Sequence, residues 1–144
     1  MKVRLEIDDT LKEDEIVIST KEYSDEIKQL IESFKTKPKI QFFKQDTEYY
    51  LDLDSILFFE SDNGKVFAHT TNDMFSTIQK LYELEKILPN HFIRISKSTI
   101  LNIQKIYSLF HCVSSHLVTF QNSHKQVYVS RMYYKLLKER RNSL

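Results

Sequence analysis

At 144 residues and 41% apolar content the chain has room for one domain with a sizeable core, while a single glycine and two prolines leave no Gly-rich phosphate loop, which removes most nucleotide-dependent enzymes. One cysteine, Cys112, cannot form an intrachain disulfide, and no apolar run approaches the roughly 20 residues that cross a bilayer, so a cytoplasmic protein is expected. The net charge of +1 conceals a split: residues 1–90 carry 12 Lys/Arg against 19 Asp/Glu, and residues 91–144 carry 9 against Glu139 alone, so the last third attracts a polyanion, nucleic acid foremost.

Val3, Leu5 and Ile7 alternate with Arg4 and Glu6, the period-two mark of a strand, and Asp8-Asp9-Thr10 reads as a turn. Ile16–Ser19 reads as a second strand. From Ser24, a plausible N-cap, Ile27, Leu30, Ile31 and Phe34 fall on one helical stripe. Residues 1–37 thus form a small β-β-α unit, with Lys35-Thr36-Lys37-Pro38 as the linker to a β-rich domain over 38–144.

In that domain Lys39–Phe43, Glu48–Leu51 and Ile56–Glu60 read as strands, and Asp62-Asn63-Gly64 joins the third to Lys65–Thr70 as a hairpin, Asn63 and Gly64 suiting positive φ. Ser76 and Gln79 have capping-box spacing ahead of a short helix with Ile78, Leu81, Tyr82 and Leu88 on its apolar face, ending near Pro89. Phe92–Ser96, Ile106–Val113, Leu117–Phe120 and Gln126–Val129 follow as strands, the last two joined by an Asn122-Ser123 turn. Ser130 can cap a closing helix with Met132, Tyr133, Leu136 and Leu137 on one face and Arg131, Lys135, Lys138, Arg140 and Arg141 on the other. The class is mainly β with short helices.

Chemistry-bearing groupings are sparse. Ser96, Lys97 and Ser98 lack any nucleophile-elbow or oxyanion signature around them. His111, Cys112 and His116 match no zinc spacing, and the pairs Glu60/Asp62 and Asp52/Asp54 lie close merely because alternate strand residues share a face. The chain is therefore read as a non-enzyme with no cofactor, no metal and no small-molecule substrate. The aromatics Phe42, Phe43, Tyr49, Tyr50, Phe58 and Phe59 read as core rather than base-stacking platforms. More informative is Phe92–Asn102, where apolar residues that can bury alternate with Arg94, Ser96, Lys97, Ser98, Thr99 and Asn102, donors suited to phosphates or base edges.

Ile56-Leu57-Phe58-Phe59-Glu60, Ile87-Leu88-Pro89, Phe92 to Asn102 with Ile106, and Val127-Tyr128-Val129-Ser130-Arg131, in that order and spacing, resemble the LytTR DNA-binding domain over about residues 38–141. Ser96 and Lys97 stand where the family usually has His and Arg, which leaves a phosphate contact but no bidentate one. The resemblance implies an elongated β-fold whose loops enter major grooves, in a sequence-specific transcriptional regulator. Carried over, its DNA contacts fall on Asn63 and Lys65 of the hairpin, on Asn102 as a base reader and on Arg131, with Arg94, Lys97 and Ser98 holding backbone phosphate. It also implies a homodimer on direct-repeat-like half-sites. The chain is similar to stand-alone members without a receiver domain, often restrained by a membrane protein, so the N-terminal unit is a candidate for dimerisation or partner binding. The alternative is an anti-activator or adaptor that has lost DNA affinity.

Overall fold

The computed structural model describes residues 1–35, 39–111 and 115–143; Thr36, Lys37 and Pro38 of the expected linker, and Cys112 and Val113 at the end of the expected Ile106–Val113 strand, lie outside these. The chain divides into two compact units, Met1–Lys37 and Pro38–Leu144. Among the described residues no helix is long and apolar enough to cross a membrane.

In the first unit Ser24 caps helix α1 (Asp25–Lys35), its Oγ accepting the Ile27 N–H at 3.3 Å. Asp25 and Glu26 occupy the first turn, where the positive end of the helix dipole favours them. Ile27 is buried and Phe34 exposed. Asp8 makes the expected turn, its carboxylate accepting the Thr10 N–H at 3.0 Å. The two strands expected here are not formed: Val3–Ile7 and Ile16–Ser19 lie outside any strand, and Val3, Leu5 and Ile7 are 94%, 85% and 90% exposed. Alternation can specify a face, but a strand also needs a neighbour for its N–H and C=O groups, and no such pairing is present among the described residues.

The second unit is built from two antiparallel sheets. The larger contains β1 (Phe42–Lys44), β2 (Thr47–Tyr49), β3 (Phe58–Asp62), β4 (Lys65–His69), β5 (Met74–Thr77), β6 (Phe92–Ser96) and β7 (Thr99–Asn102), in the order β2-β1-β5-β4-β3-β7-β6. The smaller has β8 (Ile106–His111), β9 (His116–Phe120) and β10 (Gln126–Val129), with β9 central. Helix α2 (Leu81–Ile87) and helix α3 (Arg131–Ser143) complete it.

The runs Ile56–Phe59 and Ile100–Leu101 are continuously apolar because the large sheet is covered on both faces. Phe59, Ile100, Phe92, Val66 and Phe75 pack with Leu81 and Leu84 of α2 on one side. Phe58, Leu101, Ile93 and Ile95 pack on the other with Val118, Phe120 and Val129 of the small sheet and Leu137 of α3. Each such fully buried side chain contributes roughly 1.5–3 kcal/mol. In β6 the register against β7 shifts between Arg94 and Ser96, a bulge that leaves Ile93 and Ile95 in the same cluster.

Two helix assignments change. Met74–Thr77 is a strand rather than the approach to a helix: it pairs with β4 and β1, burying Phe75 and Thr77, and the Ser76 hydroxyl donates to Phe43 O at 3.2 Å instead of capping. Pairing on both edges outweighs the Ser76/Gln79 capping spacing. Helix α2 starts later, where the Glu83 carboxylate accepts the Lys80 N–H at 3.1 Å, and it buries Leu81 and Leu84 while Ile78 and Tyr82 are exposed. In α3, Leu137 is buried with Tyr133 and Tyr134 against the core, whereas Met132 and Leu136 are exposed.

Candidate nucleic-acid interface

One end of the large sheet gathers three loops. The β3–β4 turn carries Asn63 (φ 50) and Gly64 (φ 78), two successive left-handed residues of the kind a two-residue hairpin demands. Lys97 and Ser98 form the tip of the β6–β7 hairpin, and the Ser61 N–H donates to Ser98 O at 2.8 Å, extending the Glu60–Thr99 pairing of β3 with β7. The two tips therefore lie side by side, two strand intervals or about 10 Å apart. The third loop is the entry to α3, where the Ser130 N–H donates to Ile95 O at 3.2 Å and so fixes Arg131 beyond β6. Asn63, Lys65, Lys97, Ser98 and Arg131 are all exposed. Lys80, which sequence reasoning passed over, joins them through its Nζ, 3.4 Å from Gly64 O.

Asn102 is not among them. It is fully buried, its amide nitrogen donating to Ile56 O at 3.0 Å and its amide oxygen accepting the Gln104 N–H at 3.0 Å. Both ends of the side chain are engaged by backbone, and neither is offered to a base edge. Its work is to tie the end of β7 to the approach of β3. Arg94 is likewise turned inward: its guanidinium donates to the Glu85 carboxylate, to Ser96 O at 2.8 Å and to Lys97 O. It shapes the β6–β7 tip that presents Lys97. Ser96 and Ser98 hydroxyls lie 3.4 Å apart, and Ser96 Oγ accepts the Ser98 N–H at 3.2 Å, so these serines brace the same tip.

At the opposite end the sheets are locked together. His69 Nε2 meets Glu60 Oε1 at 2.8 Å, Lys125 Nζ meets His69 Nδ1 at 3.2 Å, and the Lys125 ammonium also donates to Asp73 O. A neutral ring satisfies both neighbours, with Nε2–H donating to Glu60 and Nδ1 accepting from Lys125. Burial foremost, opposed by Glu60 and assisted by the Lys125 charge, holds the His69 pKa below its ordinary value. Ser123 Oγ donates to Thr71 O at 2.8 Å across the same junction. This lock holds the small sheet, and with it the start of α3, against the strands that carry the other two loops.

Nothing in the described residues groups His, Cys, Asp and Glu as a metal site. Glu60 serves His69, and Asp52 caps a 3-10 turn by accepting the Asp54 N–H at 3.1 Å. Phe42, Phe58 and Phe59 are core, but Phe43 is only half-buried and Tyr49 and Tyr50 are exposed, so these three are not core residues.

The sequence profile of the LytTr DNA-binding domain matches residues 46–142. The chain belongs to the LytTR family. An uncharacterized HTH-type transcriptional regulator of Staphylococcus aureus strain NCTC 8325 is 31% identical over 144 residues, covering 97% of each chain, so the likeness extends through the N-terminal unit. A counterpart in strain MSSA476 is 38% identical over 92 residues, 64% of this chain and 63% of that one. Among solved structures, the LytTr DNA-binding domain of a protein described as a methyl-accepting/DNA response regulator from Bacillus cereus superposes with a TM-score of 0.65 at 21% identity, covering 72% of this chain and 96% of that one. It shares the mainly β LytTR fold. Although those Staphylococcus relatives are named HTH-type, α1, α2 and α3 of this LytTR chain are separated by strands, so no helix-turn-helix exists among the described residues.

Proposed function

We propose that this LytTR protein is a sequence-specific transcriptional regulator that presents Asn63 and Lys65, Lys97 and Ser98, and Arg131 to double-stranded DNA. The convergence of three exposed, cation-bearing loops at one end of the large sheet carries this reading. A spacing of about 10 Å between hairpin tips is comparable to the roughly 12 Å width of a major groove, so the two can address one groove while Arg131 reaches further along the duplex. Lys97 and Ser98 suit phosphate, and Arg131 suits guanine or phosphate. Asn102 and Arg94 act from behind, by holding the loops. The protein works by binding rather than catalysis, in the cytoplasm.

The first unit is the candidate dimerisation or partner-binding element, because Val3, Leu5, Ile7, Ile16 and Val17 are exposed apolar residues. A homodimer would place two loop sets on repeated half-sites; a restraining membrane protein could use the same surface. Selection of duplexes from a random pool, then anisotropy titration of the intact chain, tests the reading. Preference for the selected sequence with steep salt dependence supports it, whereas equal, salt-insensitive binding to random duplex would instead favour an adaptor. Sedimentation of the chain lacking residues 1–37 tests the dimer; unchanged self-association removes the first unit from that role.

A further inference from the structure

A second cationic cluster lies where the β8–β9 hairpin meets α3. The His116 ring stacks on Tyr134 with centroids 3.6 Å apart and 16° between planes, and the Tyr134 hydroxyl lies 2.8 Å from His111 Nδ1. Lys138 Nζ sits 5.7 Å from the centre of the Tyr134 ring. His116 pairs with Val129, which places it at the same end of the small sheet as the start of α3. After desolvation, the neighbouring His111, Arg131 and Lys138 each lower its pKa. Its Nδ1 is buried without a hydrogen-bond partner. Arg131 and Lys138, seven residues apart, share one helix face at a separation of about 10 Å. Lys138 and Arg131 supply fixed positive charge on this helix face, and an anion seated beside them can also accept an N–H from a neutral imidazole.

We propose that Lys138, with His111 and His116 beside it, binds a backbone phosphate of the DNA next to the groove that Arg131 enters. The proposal rests on the DNA-binding reading above and extends its footprint from the loop tips along α3. A phosphate here fixes orientation on the duplex without reading sequence.

The test is anisotropy of the intact chain on its selected duplex and on a random one, titrated between 50 and 200 mM salt, for wild type, Lys138→Gln, Lys138→Arg and, as a control for charge alone, Lys86→Gln on α2. Lys138→Gln is expected to flatten the slope of log affinity against log salt by about 0.9, roughly a threefold smaller loss of affinity over that range, and to weaken both duplexes by the same factor. Lys138→Arg and Lys86→Gln are expected to keep the wild-type slope. An unchanged slope in Lys138→Gln, or a loss confined to the selected duplex, overturns the phosphate contact while leaving the loop reading intact. Failure of wild type to bind any duplex removes both.

Discussion

Replacing Asn102 by alanine removes an amide that bridges Ile56 O and the Gln104 N–H inside the fold. Two such hydrogen bonds are worth about 1 kcal/mol each, and leaving a buried carbonyl unpaired adds a cost of about 1–3 kcal/mol, so a loss of roughly 3–5 kcal/mol is expected. For a domain of this size each kcal/mol lowers Tm by about 4 °C or more. Urea or thermal unfolding of Asn102→Ala reads the loss directly. Asn102→Asp is expected to be at least as destabilising, since it turns a carboxylate toward the Ile56 carbonyl. If Asn102 instead read a base, the alanine variant would keep wild-type stability and lose about 1–3 kcal/mol of preference for the selected duplex alone. That pattern would refute the buried bridge.

Arg94→Ala is expected to cost about 1–2 kcal/mol of stability, discounted for partial exposure of the Glu85 pair, and to weaken DNA binding by loosening the Lys97 tip; Arg94→Lys should not rescue it, because one ammonium cannot reach Glu85, Ser96 O and Lys97 O together, and unfolding with anisotropy on both variants checks this. Stability is expected to fall as pH drops below about 6.5, the unfolded histidine value, and through the lowered folded value of His69, since the unfolded chain binds more protons in that window. His69→Gln should flatten that dependence while retaining the part that His116 contributes with the same sign; an equally steep profile in the variant would dismiss the His69 lock. Gly64→Ala should cost about 1 kcal/mol through its φ of +78° rather than through a clash, as nothing lies within 4 Å of the added methyl; unchanged denaturation would contradict the strained turn.

Much of the second unit was legible because local chemistry and tertiary role coincide there. Ile56–Phe59 had to be covered on both faces, Asn63-Gly64 had to turn, and Phe92–Ser96 had to extend. The misreadings come where one pattern serves two purposes. Ser76 and Gln79 have the spacing of a cap, yet that segment pairs on both edges; the N-terminal alternation has a face but no partner strand. A polar residue amid apolar ones, such as Asn102, looks alike whether its amide meets backbone or solvent. The family resemblance carried Asn102 over together with the loop residues, although its amide is spent on backbone. Thr99–Asn102 was not read as a strand, so the hairpin tip at Lys97-Ser98 was missed; a polar pair between two β-prone runs is the signal that marks it.

DNA is expected to meet the end of the large sheet where the two hairpin tips and the start of α3 converge. Chemical-shift mapping of the isotopically labelled chain, titrated with its selected duplex, tests it most directly. Shifts should concentrate at Asn63–Lys65, Lys97–Ser98 and Ser130–Arg131, with the Asn102 side-chain amide scarcely moved. Shifts concentrated instead at Thr70–Asn72 and Asn122, at the opposite end, would contradict the account.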